Sequence, residues 1–187
     1  MAMQTKTATR NGVNVEALQS TAASIRANPG MGKFTFRGKS KWISGAHCQS
    51  TFDSLVGGGK EMKRAKPHFL EGDEPEALLG TDLGPNAGES ALHALASCLS
   101  TTYAYHAAAL GLDIRSLSFD LETDSDLTGF LELNTKVRPG LTHMRVKVNL
   151  DCSGTPQQIK ELHAKAERTS PLVDTFRHPV EVKLRTS

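Results

Sequence analysis

The segment from Glu89 to Leu110 constrains the fold more than any other part of the sequence. Alanine, leucine, serine and threonine dominate it, no proline or glycine interrupts it, and Gly111 follows it. This pattern predicts one long helix that ends at the glycine. Apolar residues occur on both of its faces, with Ala94 on one and Tyr103 on the other. Because a helix that is apolar all round is typical of a buried position, we expect a central helix that other elements cover.

The residues around this helix predict two further helices and a series of strands. The helix from Val13 to Ala27 ends at Asn28-Pro29-Gly30, where proline restricts the preceding residue. Thr155 caps a helix from Pro156 to Arg168, which ends at Ser170-Pro171. The alternating segments predict strands at Lys33–Trp42, Ala46–Phe52, His68–Leu70, Ile114–Thr123, Leu131–Val137, Thr142–Asp151 and Val180–Leu184, with connections at Val56–Lys66 and Glu71–Gly88.

This order of elements predicts an α+β fold, in which antiparallel sheets carry two helices packed on one face. Residues 1–32 form an N-terminal helical extension in this interpretation, and residues 33–187 form the main domain. The start from Met1 to Gly12 is polar, unlike a secretory signal. No apolar run reaches the roughly 18 residues that a membrane span needs. We therefore expect a cytoplasmic protein without a membrane span.

Charge and cysteine usage exclude several classes of function. The formal net charge is +2, and the basic residues are scattered, which does not indicate a nucleic-acid partner. The three cysteines, Cys48, Cys98 and Cys152, form no CxxC pair, so neither a zinc site nor a thioredoxin-type motif is indicated. His47 and Cys48 are adjacent on a predicted strand and point to opposite faces. We expect neither a metal nor a cofactor.

The segment from Gly84 to Gly111, GPNAGESALHALASCLSTTYAYHAAALG, resembles the signature of the OsmC/Ohr-like superfamily. The order of elements that follows is also similar, and the resemblance covers about Lys33 to Leu184. It implies an intertwined homodimer with active sites at the subunit interface. It also implies a thiol peroxidase that reduces organic hydroperoxides, in which one cysteine attacks the peroxide and a second resolves the sulfenic acid as a disulfide.

The resemblance assigns roles to particular residues of this chain. Cys98 matches the peroxidatic cysteine, and Glu89 matches the glutamate that precedes the helix. The resolving cysteine falls at Ser170, so a disulfide cannot close there and an external thiol reductant is expected. The family's arginine comes from an early hairpin, where this chain offers Arg37 in the first strand and His47 just past the turn. We assign the position to His47.

Elementary electrostatics limits how these residues can act. Burial in an apolar helix disfavours a thiolate, and the helix dipole fades beyond the first turn, so Cys98 requires a positive partner for peroxidase chemistry. Glu89 lies nine residues earlier, which places it on the opposite side of a helix with about 100° per residue. Its carboxylate can reach the thiol only from a loop ahead of the helix.

Three functions follow from these observations. The first is a thiol-dependent peroxidase for organic hydroperoxides, active in oxidative stress defence. The second is a non-catalytic protein that binds an apolar small molecule in the same dimer-interface pocket, which the helix face with Thr101, Thr102 and Tyr105 would suit. The third is a cysteine hydrolase or acyl transferase, which would need a histidine base within reach of Cys98.

Overall fold

The computed structural model describes residues 9–178 and 180–186, which form two compact units. The first unit consists of residues up to Leu18 and from Leu92 onward, and the second unit is Gln19–Ala91. Helices α1 (Val15–Ala27) and α2 (Ala87–Ala109) each contribute residues to both units. The domain boundary at residue 32 stays a prediction.

The second unit is built around one antiparallel sheet. Strands β3 (Phe34–Phe36) and β4 (Lys39–Ser44) pair one after the other along the same edge of β5 (His47–Gly57). Strand β6 (Lys60–Gly72) pairs with the other edge of β5. A short 3-10 turn, Pro29–Gly32, precedes the sheet. The predicted strand Lys33–Trp42 is therefore interrupted, because Arg37 and Gly38 leave the ladder.

The predicted connection Val56–Lys66 is wrong, because most of it belongs to β5 and β6. Gly58 and Gly59 have φ values of +56° and +78°, which is the backbone that a tight hairpin turn requires and that glycine adopts freely. The strand after the turn is exposed along its charged residues. A strand that lies in solvent needs no apolar alternation, which explains why its sequence resembles that of a loop.

The long loop between β6 and α2 is organised by one buried carboxylate. Asp73 is 3% exposed and accepts hydrogen bonds from the Glu74 and Leu83 amides and from both the amide and the hydroxyl of Thr81. A 3-10 turn, Glu76–Leu78, lies within the loop. These bonds lower the pKa of Asp73 from 3.8 to about 2, with the Thr81 hydroxyl as the largest cause.

The first unit contains the apolar core. Strands β7 (Ile114–Asp124) and β8 (His143–Cys152) form an antiparallel hairpin, and helices α2 and α4 (Pro156–Thr169) pack on one of its faces. The core residues are Leu95, Leu99, Tyr103, Ala107, Leu112, Cys152, Leu162 and Ala166. The predicted α+β fold, with antiparallel sheets and two helices on one face, is confirmed.

A small N-terminal hairpin completes the first unit. It consists of β1 (Thr9–Arg10) and β2 (Val13–Asn14). The Asn11 side chain donates to the Leu112 carbonyl and accepts from the Ile114 amide, both at 2.9 Å. This one side chain therefore fixes the hairpin to the turn between α2 and β7.

Two predicted strands of the first unit are absent from the described residues. Residues Leu131–Val137 follow a short helix, α3 (Leu127–Phe130), which the Asp126 side chain caps by accepting from the Thr128 amide at 2.9 Å. Glu132 then has a φ of +56°, which does not fit a strand. Val180–Leu184 is exposed and pairs with no strand of residues 9–178, and a strand requires a neighbour for its backbone groups.

Helix α2 is buried along one face rather than all round. Leu95, Leu99 and Tyr103 are buried, whereas Ser97, Thr101 and other residues of the opposite face are exposed in the single chain. None of the helices within the described ranges combines the length and the apolar character required to cross a bilayer.

Candidate functional site

Cys98 lies near the middle of α2 and is half-buried. Its backbone carbonyl accepts a hydrogen bond from the Thr102 hydroxyl at 2.8 Å. Leu95 and Leu99, its neighbours on the buried side, belong to the core. The sulfur is therefore held by a rigid element at the edge of the apolar interior.

Two groups from one short stretch of chain contact the sulfur. The Ser170 hydroxyl lies 3.3 Å from Cys98 Sγ, and the Leu172 amide donates to the same sulfur at 3.4 Å. Ser170 is 0% exposed, so its hydroxyl is closed off from solvent. The structure thus brings together Cys98 and Ser170, which are 72 positions apart in the sequence.

The junction between α4 and α5 (Pro171–Arg177) sets the position of Ser170. Thr155 and Gln158 close a capping box at the start of α4, which fixes where that helix begins. At its end the Ser170 amide donates to the Ala166 carbonyl at 3.0 Å, and the Ser170 carbonyl accepts from the Asp174 amide at 3.1 Å. Ser170 therefore ends one helix and begins the next.

Leu172 and α5 are the parts of this site that the sequence interpretation missed. The sequence predicts a helix stop at Ser170-Pro171, and in the structure these residues also begin α5. Serine before a proline in the first helical position is a typical N-terminal signal. The same two residues therefore predict the start of α5.

Glu89 lies within the first turn of α2 rather than in a loop ahead of it. The Asn86 amide donates to Glu89 Oε2, and the Glu89 amide donates to Asn86 Oδ1, both at 2.9 Å. This reciprocal pair satisfies backbone donors at the helix start. The condition under which we expected Glu89 to reach the thiol is not met, and its carboxylate caps the helix.

His47 lies at the start of β5 in the second unit, and its side chain is 18% exposed. Its Nε2 lies 2.8 Å from Glu71 Oε2, and the Gln49 side-chain amide donates to the other oxygen of Glu71 at 2.7 Å. The hydrogen bonds from Gln49 and from His47 lower the pKa of Glu71. Any positive charge on His47 is therefore already paired with a carboxylate. Arg37 is exposed between β3 and β4.

The other two cysteines lie elsewhere in their units, and all three thiols are free. Cys152 is buried in the core of the first unit, where its sulfur donates to the Ser153 carbonyl at 3.3 Å. Burial raises the pKa of its thiol. Cys48 is half-buried in β5. A buried neutral thiol behaves as a small apolar residue, so Cys152 is a packing residue.

The comparison with protein families identifies one family. Residues 80–185, more than half of the chain, match the family model described as OsmC-like protein. The chain belongs to the OsmC-like protein family. No curated protein sequence is similar enough to the chain to count as a relative.

Solved structures of OsmC-like proteins share the fold. One from Mycoplasma pneumoniae has a TM-score of 0.59 and 14% identity, over 78% of this chain and 89% of that chain. Another from Vibrio cholerae has a TM-score of 0.54 and 16% identity, over 75% of this chain and 92% of that chain. At such identities the likeness concerns the fold alone.

Two polar contacts join α2 to α4 in this OsmC-like protein. The Tyr103 hydroxyl lies 2.7 Å from His163 Nδ1, and His106 Nε2 lies 2.7 Å from the Thr169 hydroxyl. Burial raises the pKa of Tyr103, with the Glu167 carboxylate as a smaller cause. Burial, with Lys165 and Arg168 nearby, lowers the pKa of His106. These contacts fix the register of the two helices that carry Cys98 and Ser170.

A broad cleft of about 1300 Å³ also lies within the first unit. Its apolar lining comes from α2, β8 and α5: Leu95, Leu99, Met144, Val146, Val148, Val173 and Phe176. Three arginines lie at its edge. Arg145 binds Asp124 and Arg177 binds Glu167, whereas Arg138 donates to the Leu141 carbonyl. Within the described ranges, no three histidine, cysteine, aspartate or glutamate side chains lie close enough to hold a metal ion.

Proposed function

We propose that this OsmC-like protein is a thiol-dependent peroxidase that reduces organic hydroperoxides in oxidative stress defence. The observation that carries the proposal is the setting of Cys98, whose half-buried sulfur lies 3.3 Å from the Ser170 hydroxyl and accepts a hydrogen bond from the Leu172 amide. Hydrogen-bond donors favour the thiolate, which is the nucleophilic form of cysteine. Membership of the family supports the same chemistry.

The first half of the reaction consumes one hydroperoxide. The Cys98 thiolate attacks the outer oxygen of ROOH, an S–O bond forms, and the O–O bond breaks. The alkoxide takes up a proton and leaves as an alcohol, while the sulfur becomes a sulfenic acid. Two electrons pass from the sulfur to the peroxide, so no cofactor is required.

The second half requires a thiol from outside the chain. Ser170 stands where a resolving thiol would be needed, and its hydroxyl cannot form a disulfide. An external thiol RSH attacks the sulfenic acid, forms a mixed disulfide with Cys98 and releases water. A second thiol then releases Cys98 and leaves as the disulfide of the two reductant molecules. The cytoplasm, where thiols are kept reduced, is the compartment that suits this cycle.

His47 and Glu89 remain proposed members of the catalytic set. Glu71 holds the His47 ring in one orientation, which suits a residue that presents a donor to a peroxide oxygen. Glu89 fixes the first turn of α2, and we propose that it acts through the helix rather than on the sulfur. His47→Gln and Glu89→Gln would each be assayed for Cys98 oxidation.

We also propose that the chain works as a homodimer. Phe69 and Leu70 are neighbours on β6 and so point to opposite faces of the sheet, yet they are 56% and 57% exposed. Phe36 on β3 and Trp42 on β4 are exposed as well. Large exposed apolar patches mark interaction sites, and a second copy of the chain is the partner that the family implies.

A single-turnover experiment tests the peroxidase. Reduced protein is mixed with one equivalent of cumene or linoleic hydroperoxide, and the oxidation of each cysteine is followed by mass spectrometry. We expect rapid, stoichiometric sulfenic acid at Cys98 and its absence in Cys98→Ser. Cys152 is the internal control, because its buried thiol should stay reduced. Oxidation of Cys98 no faster than that of a free thiol would exclude the peroxidase.

Binding of an apolar small molecule is the second candidate, and the cleft of about 1300 Å³ favours it. Its lining of leucine, valine, methionine and phenylalanine is typical of ligand pockets of that size. Native mass spectrometry of the purified protein would detect a retained ligand. A Val146→Asp variant should lose the ligand while Cys98 stays reactive. A variant that keeps both the ligand and the reactivity of Cys98 would exclude binding in this cleft.

A further inference from the structure

The start of α5 is capped in an unusual way. A serine before a helix normally accepts a hydrogen bond from an amide of the first turn. Ser170 occupies that position, and its hydroxyl makes no such bond. The second amide of α5, that of Leu172, donates instead to Cys98 Sγ at 3.4 Å. The sulfur thus takes the place of the capping oxygen, and the serine hydroxyl is directed to the sulfur.

Within the described residues, the hydroxyl of Ser170 has the sulfur as its hydrogen-bond partner. A hydroxyl can donate or accept, and a wholly buried one that lacks a partner costs free energy. While Cys98 is a thiol, its S–H can donate to the Ser170 oxygen. Once Cys98 is a thiolate it can only accept, so the serine must donate. The same pair is therefore satisfied in both states of the sulfur.

We propose that Ser170 is a positioning residue, whose hydroxyl together with the Leu172 amide holds Cys98 Sγ and donates to its thiolate. The inference rests on the proposed peroxidase for its biological purpose, although its geometry does not. Cys98 then obtains the required stabilisation from two neutral donors and needs no cation in contact with the sulfur. A cysteine in place of Ser170 would offer a weaker donor.

A donor to the thiolate has two opposite kinetic effects. It increases the fraction of thiolate at a given pH, and it makes each thiolate a weaker nucleophile. Nucleophilicity changes with a coefficient of about 0.4–0.5, so a tenfold change in thiolate fraction is offset only about threefold. Loss of the donor should therefore slow the reaction at neutral pH and speed it up at high pH, where every Cys98 is ionised.

The test measures the alkylation rate of Cys98 with iodoacetamide from pH 5 to 11, read peptide by peptide so that Cys48 and Cys152 do not interfere. For Ser170→Ala we expect a rate about threefold lower at pH 7 and about threefold higher at pH 11 than for the unchanged chain. The two profiles should cross. Ser170→Thr keeps a hydroxyl and should restore the original profile. Ser170→Gly removes the same hydroxyl as Ser170→Ala and should give the same crossing profile.

Ser100→Ala is the matched control. Ser100 is an exposed serine of α2 whose hydroxyl donates to the Ala96 carbonyl at 2.9 Å, and its loss should leave the profile unchanged. Besides Cys98, the three helices packed here carry titratable groups that none of the variants alters. These groups are Glu89, His93, Tyr103, Tyr105 and His106 on α2, Lys160, Glu161, His163, Lys165, Glu167 and Arg168 on α4, and Asp174 and Arg177 on α5. Any change in profile therefore originates from the hydroxyl.

The outcomes separate this inference from the proposed function. Crossing profiles support the role of Ser170 even if Cys98 reacts slowly with hydroperoxides, in which case the peroxidase alone fails. Equal profiles for Ser170→Ala and the unchanged chain overturn the inference, and fast oxidation by hydroperoxide would then leave the peroxidase intact. A parallel fall at every pH also overturns it, because that result describes a packing defect.

Discussion

The two units of this protein differ in what they bury. The first unit has a continuous apolar core that joins α2 and α4 to one face of the β7–β8 hairpin. In the second unit, only Gly57 and Asp73 are buried among the described residues, and neither supplies apolar side-chain area. The chain therefore contains one unit that has its own interior and one sheet that has almost none.

The difference predicts that the second unit gains cover from outside itself. Exposed aromatic residues are unfavourable in water, and a sheet normally buries one face against another layer. Backbone pairing can fix the strands, but it does not supply the hydrophobic free energy of a core. Changes in the two units should therefore have unequal effects.

The largest effect is expected for Leu162→Ala in the first unit. Leu162 is 0% exposed, and the loss of a buried leucine leaves a cavity, which costs about 2–5 kcal/mol. Urea unfolding followed by circular dichroism would measure the loss. Leu184→Ala, in the exposed C-terminal segment, is the control and should change the free energy of unfolding by less than about 0.5 kcal/mol. Equal effects would mean that the core is misidentified.

Phe69→Ala tests whether a second copy covers the sheet. Burial of an aromatic side chain is worth about 1.5–3 kcal/mol. A dimer of Phe69→Ala should therefore dissociate at higher protein concentrations than a dimer of the unchanged chain. Light scattering on a dilution series gives the oligomeric state, and Trp42, the single tryptophan, reports its environment by fluorescence. A monomer at every concentration, with no effect of Phe69→Ala, would refute the dimer. Leu79→Ala, in the exposed loop, is the matched control.

A smaller effect is expected for the polar interior of the second unit. The folded pKa of Asp73 is about 2, below its ordinary value of 3.8. The stabilisation is therefore present above pH 4 and is lost as the pH falls through the folded pKa. In the unchanged chain, proteolytic cleavage of the loop should become faster as the pH falls toward 2. In Asp73→Asn the cleavage should already be faster at pH 7, and its rate should not rise further toward pH 2. Glu74→Gln is the control, and an unchanged loop in Asp73→Asn would contradict the role of Asp73.

The smallest effect concerns His106, at the contact between α2 and α4. Its folded pKa is lowered by burial and by Lys165 and Arg168, so its contribution is present above the ordinary value near 6.5 and is lost as the pH falls below it. The melting temperature should fall slightly from pH 7 to pH 5, and this slope should shrink in His106→Gln. An identical slope in His106→Gln would show that other groups cause the pH dependence of the melting temperature. His93→Gln is the control and should leave the slope unchanged.

Elements with strong local signals were predictable from the sequence. Helix α2 follows from the absence of proline and glycine before Gly111, and α4 follows from Thr155 and Pro156. Strand β6 was partly missed because its charged residues lie in solvent, where apolar alternation is not required. Helix α5 was missed because seven residues carry little periodicity.

The site was predictable only in part, and for a different reason. Cys98 and Ser170 were singled out through the resemblance to a family, since nothing local relates two residues 72 positions apart. The capping role of Glu89 could be read from its place at the helix start. The burial of Asp73 and the hydrogen bond between His47 and Glu71 depend on tertiary neighbours, which a single sequence does not show.

The sulfur cap of α5 has a consequence for the order in which the chain folds. A helix of seven residues is too short to form by itself in water, and the acceptor for its Leu172 amide lies 74 positions earlier in the chain. Helix α5 should therefore form after α2 and α4 have packed, so that substitutions in it speed unfolding more than they slow folding. During synthesis, the thiol of Cys98 therefore stays without these two contacts until Ser170 and Leu172 have been made.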